Sequence, residues 1–296
     1  MRSGFTIIRN GERLAFPYRE SILSLAPFVD EVVVAVGNSD DGTRGALEEL
    51  APRLNGKLRL IDSPWDPGSL KGGFELSRQT NLALDACRFD VCFYLQADEL
   101  LLDTETETLH ADLSRFEADD DADALLLRWR HFFGTYSHVV ESKRWYRREI
   151  RVLKKSRGLR SYGDAQGFRI PVGDHWRKAR GALARAHVHH YGWVRPPEKM
   201  LEKTESLDRL WHGNARDGQH REEHLYPLQF GLQPYTGPHP AVMKERIRNL
   251  GDFNPFTGQA WRPNGRDLRL WLTDIIERAT GWRPGEFKNY SSLKQY

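Results

Sequence analysis

Two adjacent carboxylates, Asp98 and Glu99, close the stretch DVCFYLQADEL that runs from Asp90 to Leu100. Ahead of them Val91, Cys92, Phe93, Tyr94 and Leu95 form an unbroken apolar run rich in aromatic and branched side chains. Such a run marks a strand buried on both faces of a sheet. It stops abruptly at Gln96. Carboxylates at the carboxyl end of a central strand stand where open α/β sheets bind ligands, and their hard oxygens suit Mg²⁺ or Mn²⁺ carrying a diphosphate. A plainer role is open to the same pair, since either acid can cap a following helix.

The elements that must position this pair can be read in order. Strands are expected at Phe5 to Ile8, Val32 to Val36 and Lys57 to Ile61, with helices at Pro17 to Leu25, Arg44 to Leu50 and Phe74 to Ala86. Three strand-then-helix units before the Asp90 strand call for crossover connections, hence a mostly parallel sheet. The loop GNSDDGT, Gly37 to Thr43, is turn chemistry throughout, yet it presents Asn38, Ser39 and Asp40 at the sheet edge, where they could hold a nucleoside. Ser63 to Phe74 carries two Pro, three Gly and an exposed-looking Trp65, and reads either as a lid or as a passive connection. Further on, a helix is expected at Thr104 to Phe116, then a solvated acidic turn at Asp119 to Asp123. Strands follow at Ala124 to Arg130, Trp145 to Leu153 and toward the end of Leu183 to Val194, with an amphipathic helix at Pro196 to Trp211. Its apolar positions are Met200, Leu201, Leu207 and Leu210. Beyond Asn214 the chain turns rich in Pro, Gly and His, with one clear helix at Leu268 to Ala279.

Composition bounds the partners. The 296 residues can bury a sizeable core, and a net charge of +3 gives no global field for nucleic acid. Cys87 and Cys92 are the only cysteines, too few for a zinc cage and consistent with reduced thiols. The start MRSGFTIIRN lacks the longer apolar segment of a signal peptide, and no apolar run reaches the roughly 18 residues of a membrane span. A cytoplasmic protein is expected. Nine basic residues between Lys143 and Arg160, together with the abundant Trp, leave peripheral contact with the inner face of the plasma membrane open, against the plainer reading of a solvated basic face.

In order and spacing, the stretch from Phe5 to Val194 resembles the glycosyltransferase family 2, whose members adopt the GT-A fold. The carriers are VAVGNSDDGT after the second strand, SRQTNLAL in the helix before the fourth, and YLQADE in the position of the metal-binding DxD motif. HYGWVR, His190 to Arg195, is similar to a histidine-bearing segment of some members, and WYRREIRVL followed by DAQGF looks like a recurrent block of one bacterial branch. The resemblance implies a GT-A-like, Rossmann-type, mostly parallel sheet flanked by helices, with a C-terminal helical extension. Residues 1–130 would form the nucleotide-sugar-binding half, 131–213 the acceptor half and 214–296 the extension. It also implies a metal-dependent, inverting glycosyltransferase of cell-surface polysaccharide or glycan biosynthesis, with Mn²⁺ or Mg²⁺ as cofactor and a glycan or lipid-linked glycan as acceptor. Two positions depart from the pattern: Gly37 replaces an aspartate that reads the nucleobase, and Gln96 replaces the first aspartate of the metal motif. The Glu-Asp pair that carries the family's general base has no clear counterpart.

Sugar transfer from a nucleoside diphosphate needs charge neutralisation on the leaving diphosphate and a base for the attacking hydroxyl. Asp98 and a second ligand would hold the metal. His190 is chosen for the second place, with His187 and His189 as rivals, and adjacent His189 and His190 should face opposite ways on a regular strand. Asp164, in a glycine-flanked loop, is the candidate base, although an ordinary Asp turn explains it equally. Arg9 and Asn10 are placed to meet the nucleoside, and Arg78 to meet the diphosphate or base. Gln96 is placed to hydrogen-bond a ribose hydroxyl or a phosphate. Trp145 and Trp193 offer faces to a sugar or pack in the core. A sugar-phosphate nucleotidyltransferase and a catalytically degenerate glycan- or partner-binding protein are the alternatives. The first lacks its expected glycine-rich, lysine-bearing loop after the first strand.

Overall fold

In the computed structural model, the structure describes residues 1–66, 72–212, 220–222, 225–251, 253–261 and 263–296. The chain starts as alternating strands and helices: β1 (Arg2–Ile8), α1 (Tyr18–Leu25), β2 (Glu31–Val36), α2 (Thr43–Leu50), β3 (Leu58–Asp62), α3 (Phe74–Ala86) and β4 (Val91–Tyr94). These strands lie in the order β3-β2-β1-β4 and are all parallel. Every residue of β2, EVVVAV, is buried, because helices cover both faces of a sheet built by crossovers. Its side chains divide by parity. Val32, Val34 and Val36 enter one apolar cluster with Phe93 and Leu95, while Val33 and Ala35 enter another with Phe5, Cys92 and Tyr94.

The second half changes pattern. After β5 (Glu99–Leu101), α4 (Thr106–Ala118), β6 (Ala124–Phe133) and β7 (His138–Val140), strand β8 (Arg148–Lys154) inserts antiparallel between β4 and β6. β9 (Arg160–Ser161), β10 (Phe168–Val172) and β11 (His175–Arg177) form a small separate antiparallel sheet. The long β12 (Ala179–Trp193) then runs parallel to β6 and antiparallel to β5. It is followed by α5 (Pro197–His212), β13 (Leu232–Pro234), α6 (Lys244–Leu250), α7 (Gly265–Thr280) and β14 (Tyr290–Gln295).

The α/β architecture expected from the sequence is therefore present, with a parallel half and a mixed half. The C-terminal extension carries helices α6 and α7 as expected, but it is not only helical. β14 returns to the main sheet beside β12 and β13 pairs with β7. The expected boundary at residues 213 and 214 and the loop residues 67–71 lie outside the described residues. Cys87 and Cys92 are buried free thiols. No helix among the described residues is long and apolar enough to cross a membrane.

Two charged stretches correct the sequence reading. Asp123 of the acidic turn is buried and accepts hydrogen bonds from the backbone and guanidinium of Arg180. Much of the basic segment from Lys143 to Arg160 is engaged within the molecule rather than open to a ligand. Arg147 holds Glu277 and Glu286, Arg151 holds Glu99, Lys155 donates to the Asp85 and Cys87 carbonyls, and Arg160 pairs with Asp85.

Candidate functional site

Strands β1 and β4 lie side by side, Phe5 opposite Tyr94, at the point where the strand order reverses. In open α/β sheets the crevice beyond the carboxyl ends of such a pair is the ligand site. Here both strands run into tight turns. Asn10 takes a φ of 52°, a left-handed conformation that Asn tolerates, and its N–H donates to Ser39 Oγ at 2.9 Å. After β4 the Gln96 carbonyl accepts from the Glu99 N–H at 3.0 Å. A cavity of about 500 Å³ opens at these ends. Of the residues singled out in the sequence, Arg9, Asn10, Gln96, Asp98, Asp164 and His190 border it, as do Trp145 and Trp193.

Asn38, Asp40 and Arg78 do not line this cavity. Asn38 Oδ1 accepts from the Trp65 N–H at 3.2 Å, and Asp40 sits in an exposed ion pair with Arg13 at 3.1 Å. Arg78 is held by Glu75 at 2.6 Å and by the Pro64 carbonyl at 3.0 Å. For Asn38 the neighbouring Gly37 matters. A Cβ there would fall 2.7 Å from Trp65 Nε1 and 2.9 Å from Arg9 Cβ, so the half-buried indole takes the space a side chain would need. Trp65, with the Arg9 guanidinium 5.3 Å from its ring centroid, borders the cavity in place of the Asn38 loop.

Asp98 is the centre of the charged end. Its Oδ2 lies 3.1 Å from Lys203 Nζ and its Oδ1 lies 3.7 Å from His190 Nε2. Burial pushes the Asp98 carboxyl up, and Lys203, His190 and Arg195 together bring it down to about 2. Burial, reinforced by Arg195, lowers the Lys203 ammonium to about 8 against the pull of Asp98, and burial lowers His190 to about 4. At neutral pH the group is therefore one carboxylate, one ammonium and a neutral imidazole. The hydrogen-bond pattern also assigns the tautomers. His131 Nε2 lies 2.7 Å from the Tyr146 carbonyl and must donate to it, which leaves His131 Nδ1 bare. His190 Nδ1–H then donates to that nitrogen at 3.1 Å, and His190 Nε2 presents a lone pair. His189 faces away, against Phe132, Tyr191 and His239.

Lys203 is the residue that the sequence reading passed over. It falls between Met200 and Leu207 on the apolar stripe of α5, and a lysine within such a stripe is the available signal. It is buried, and it also donates to the Gly192 carbonyl at 2.6 Å. Gly192 is needed for close approach: a Cβ there would lie 2.5 Å from His190 Nε2 and 2.8 Å from Asp98 Oδ2.

Glu99 does not share the site. It forms a fully buried two-pronged pair with Arg151, at 2.7 Å on each side, that braces β5 against β8. Nor does it or Asp98 cap a helix, since Glu99 begins a strand. Asp164 borders the cavity from the loop between β9 and β10, and Gln96 holds that loop through the Ala165 carbonyl at 3.3 Å. Trp129, Trp145 and Trp193 supply aromatic walls.

The residues present do not fit a resident Mg²⁺ or Mn²⁺ on Asp98 and His190. Beside a diphosphate such an ion keeps several waters and needs only one or two carboxylates, but an ammonium already seated on the same carboxylate repels it. Here one carboxylate oxygen and one imidazole nitrogen are offered, and the other carboxylate oxygen is held by the Lys203 ammonium. Among the described residues no three His, Cys, Asp or Glu side chains gather closely enough to share a metal ion.

No protein-family model matches the sequence, and no curated protein matches it. Among solved structures the chain is similar to S. aureus TarS, at 15% identity and a TM-score of 0.39, over 93% of this chain and 48% of that one. It thus spans about half the length of TarS. TarS 1–349 in complex with UDP matches at 15% identity and a TM-score of 0.38, over 94% of this chain and 81% of that one. The same TarS fragment with UDP-GlcNAc matches at 15% identity and a TM-score of 0.39, over 93% and 80%. Likeness at this distance carries no argument about function.

Proposed function

We propose that this chain is a glycosyltransferase that moves a sugar from a nucleoside-diphosphate donor to a hydroxyl acceptor. The observation that carries the reading is the single cavity at the carboxyl ends of β1 and β4. It joins Arg9 and Asn10 on the nucleoside side, a charged end around Asp98, and Asp164. Asn10 Oδ1 and Arg9 Nε are buried there without hydrogen-bond partners, which suits them to a polar ligand. The Trp129, Trp145 and Trp193 rings offer apolar faces to a sugar.

In this reading Asp164 takes the proton of the attacking hydroxyl, and the transfer inverts the anomeric carbon. His190 Nε2 accepts a hydrogen bond from a sugar or acceptor hydroxyl. The acceptor is a cell-surface glycan or a lipid-linked glycan. Purified protein offered a panel of nucleoside-diphosphate sugars, with UDP-GlcNAc among them, is expected to release the nucleoside diphosphate from one donor in the presence of a glycan acceptor. Asp164→Asn should lower kcat by about 100-fold or more while leaving donor binding in place. Donor binding without turnover of any donor would instead support a glycan- or partner-binding protein.

A further inference from the structure

The charged end of the cavity has the wrong sign for a metal site and the right sign for a diphosphate. Two buried cations, Lys203 and Arg195, act on the single carboxylate of Asp98, while His190 and His131 are held neutral by burial. Arg195 is 2% exposed, and none of its three guanidinium nitrogens has a hydrogen-bond partner. With one carboxylate, Asp98, facing two buried cations, the end carries an uncompensated positive charge, which costs several kcal/mol when buried. A divalent cation would add to that cost, and an anion would remove it.

The geometry of Lys203 says where the anion goes. An ammonium has three hydrogens to donate. Two are directed at Asp98 Oδ2, at 3.1 Å, and at the Gly192 carbonyl, at 2.6 Å. The third has no acceptor among the described residues, and Lys203 borders the cavity. Asp98 and Gly192 therefore fix the ammonium without using it up. Arg195 shares an aromatic neighbour with it: both cations lie over the Phe16 ring, at 5.1 Å for Lys203 and 4.8 Å for Arg195. Arg195 borders a neighbouring cavity rather than this one, so its contribution here is its field and the contact falls to Lys203.

We propose that Lys203, held by Asp98 and Gly192 and reinforced by Arg195, binds the diphosphate of the donor in place of a divalent metal ion, so that donor binding is metal-independent. This rests on the nucleoside-diphosphate reading above. In it Asp98 is the anchor of a lysine rather than the ligand of a metal. The change is of one kind: fixed protein cations neutralise the leaving diphosphate where an ion would otherwise be recruited with it.

Calorimetric titration of the full chain with UDP, GDP, CDP, ADP and dTDP, first in excess EDTA and then in excess Mn²⁺, tests this directly. One of these nucleotides is expected to bind with affinities within about twofold under the two conditions, and Lys203→Met should weaken it by about tenfold or more in both. Lys203→Arg, which keeps the charge, should recover part of the loss. Binding that appears only with Mn²⁺, or a Lys203→Met protein that is folded and binds as the parent does, would overturn the proposal while leaving the donor reading intact. If the Met variant does not fold, the EDTA arm on the parent protein decides alone. Failure of every nucleotide in both conditions would instead overturn the donor reading on which the proposal stands.

Discussion

Asp98, His190, Gly192 and Lys203 form one closely packed unit, and Gly192 is the least conspicuous of them. Gly192 leaves room for the imidazole and carboxylate to approach, and its carbonyl takes one of the three Lys203 donors. Gly192→Ala would put a methyl group 2.5 Å from His190 Nε2 and 2.8 Å from Asp98 Oδ2. The expected outcome is a protein that still folds but binds the nucleotide at least about tenfold more weakly, read by calorimetry. Binding equal to that of the parent would show that the unit is looser than its distances. At this scale the sequence exposed Asp98 and His190 by type and place. Lys203 was harder to see because its neighbours in sequence are an ordinary amphipathic helix, and a lysine shows its role only through what it meets across the fold.

Among the elements, β8 carries the most charge into the interior. Its Arg151 braces Glu99, and its Glu149 accepts hydrogen bonds from the Ile150 N–H at 2.9 Å, Asn289 at 3.0 Å and Gln166 at 3.2 Å. Glu149 thus ties the C-terminal segment to the loop that carries Asp164. Burial raises its carboxyl to about 7 from an ordinary 4.5, despite Arg151 and the hydrogen bonds it accepts. The folded state then holds this proton more tightly than the unfolded chain. Between those two values the unfolded chain has lost the proton and the folded one has kept it. Stability from this group is therefore full below the lower value and is lost as pH rises through the upper one, by roughly 3 kcal/mol. Urea unfolding followed from about pH 5 to about pH 8 should show the parent falling relative to Glu149→Gln by an amount of that order. Parallel pH profiles would refute it. The basic segment that holds β8 read as a solvated basic face or a membrane contact because charge density is visible in sequence, whereas the carboxylates that occupy it come from Glu99, Asp85, Glu277 and Glu286, far along the chain.

At the scale of the whole molecule the C-terminal segment is part of the sheet and not an appendage. β14 runs parallel to β12, Tyr290 packs with Phe168 and Leu183, and Asn289 is fully buried. Deletion of residues 289–296 should lower the melting temperature by about 10 °C or more, or leave the protein insoluble. A melting temperature unchanged by the deletion would mark the segment as dispensable. The sequence by itself determined the alternation of strands and helices from β1 to β4. It also determined the parallel half of the sheet and the edge at which Asp98 stands, because apolar periodicity and turn chemistry are local properties of the chain. The tertiary structure alone decided that Trp65 takes the space beside Gly37, that Glu99 serves Arg151, and that Lys203 meets Asp98 across 105 residues of sequence. Those outcomes depend on which distant side chains share a buried volume, and in a low-dielectric interior it is the sum of their charges, not the type of any one residue, that sets the ligand the site accepts.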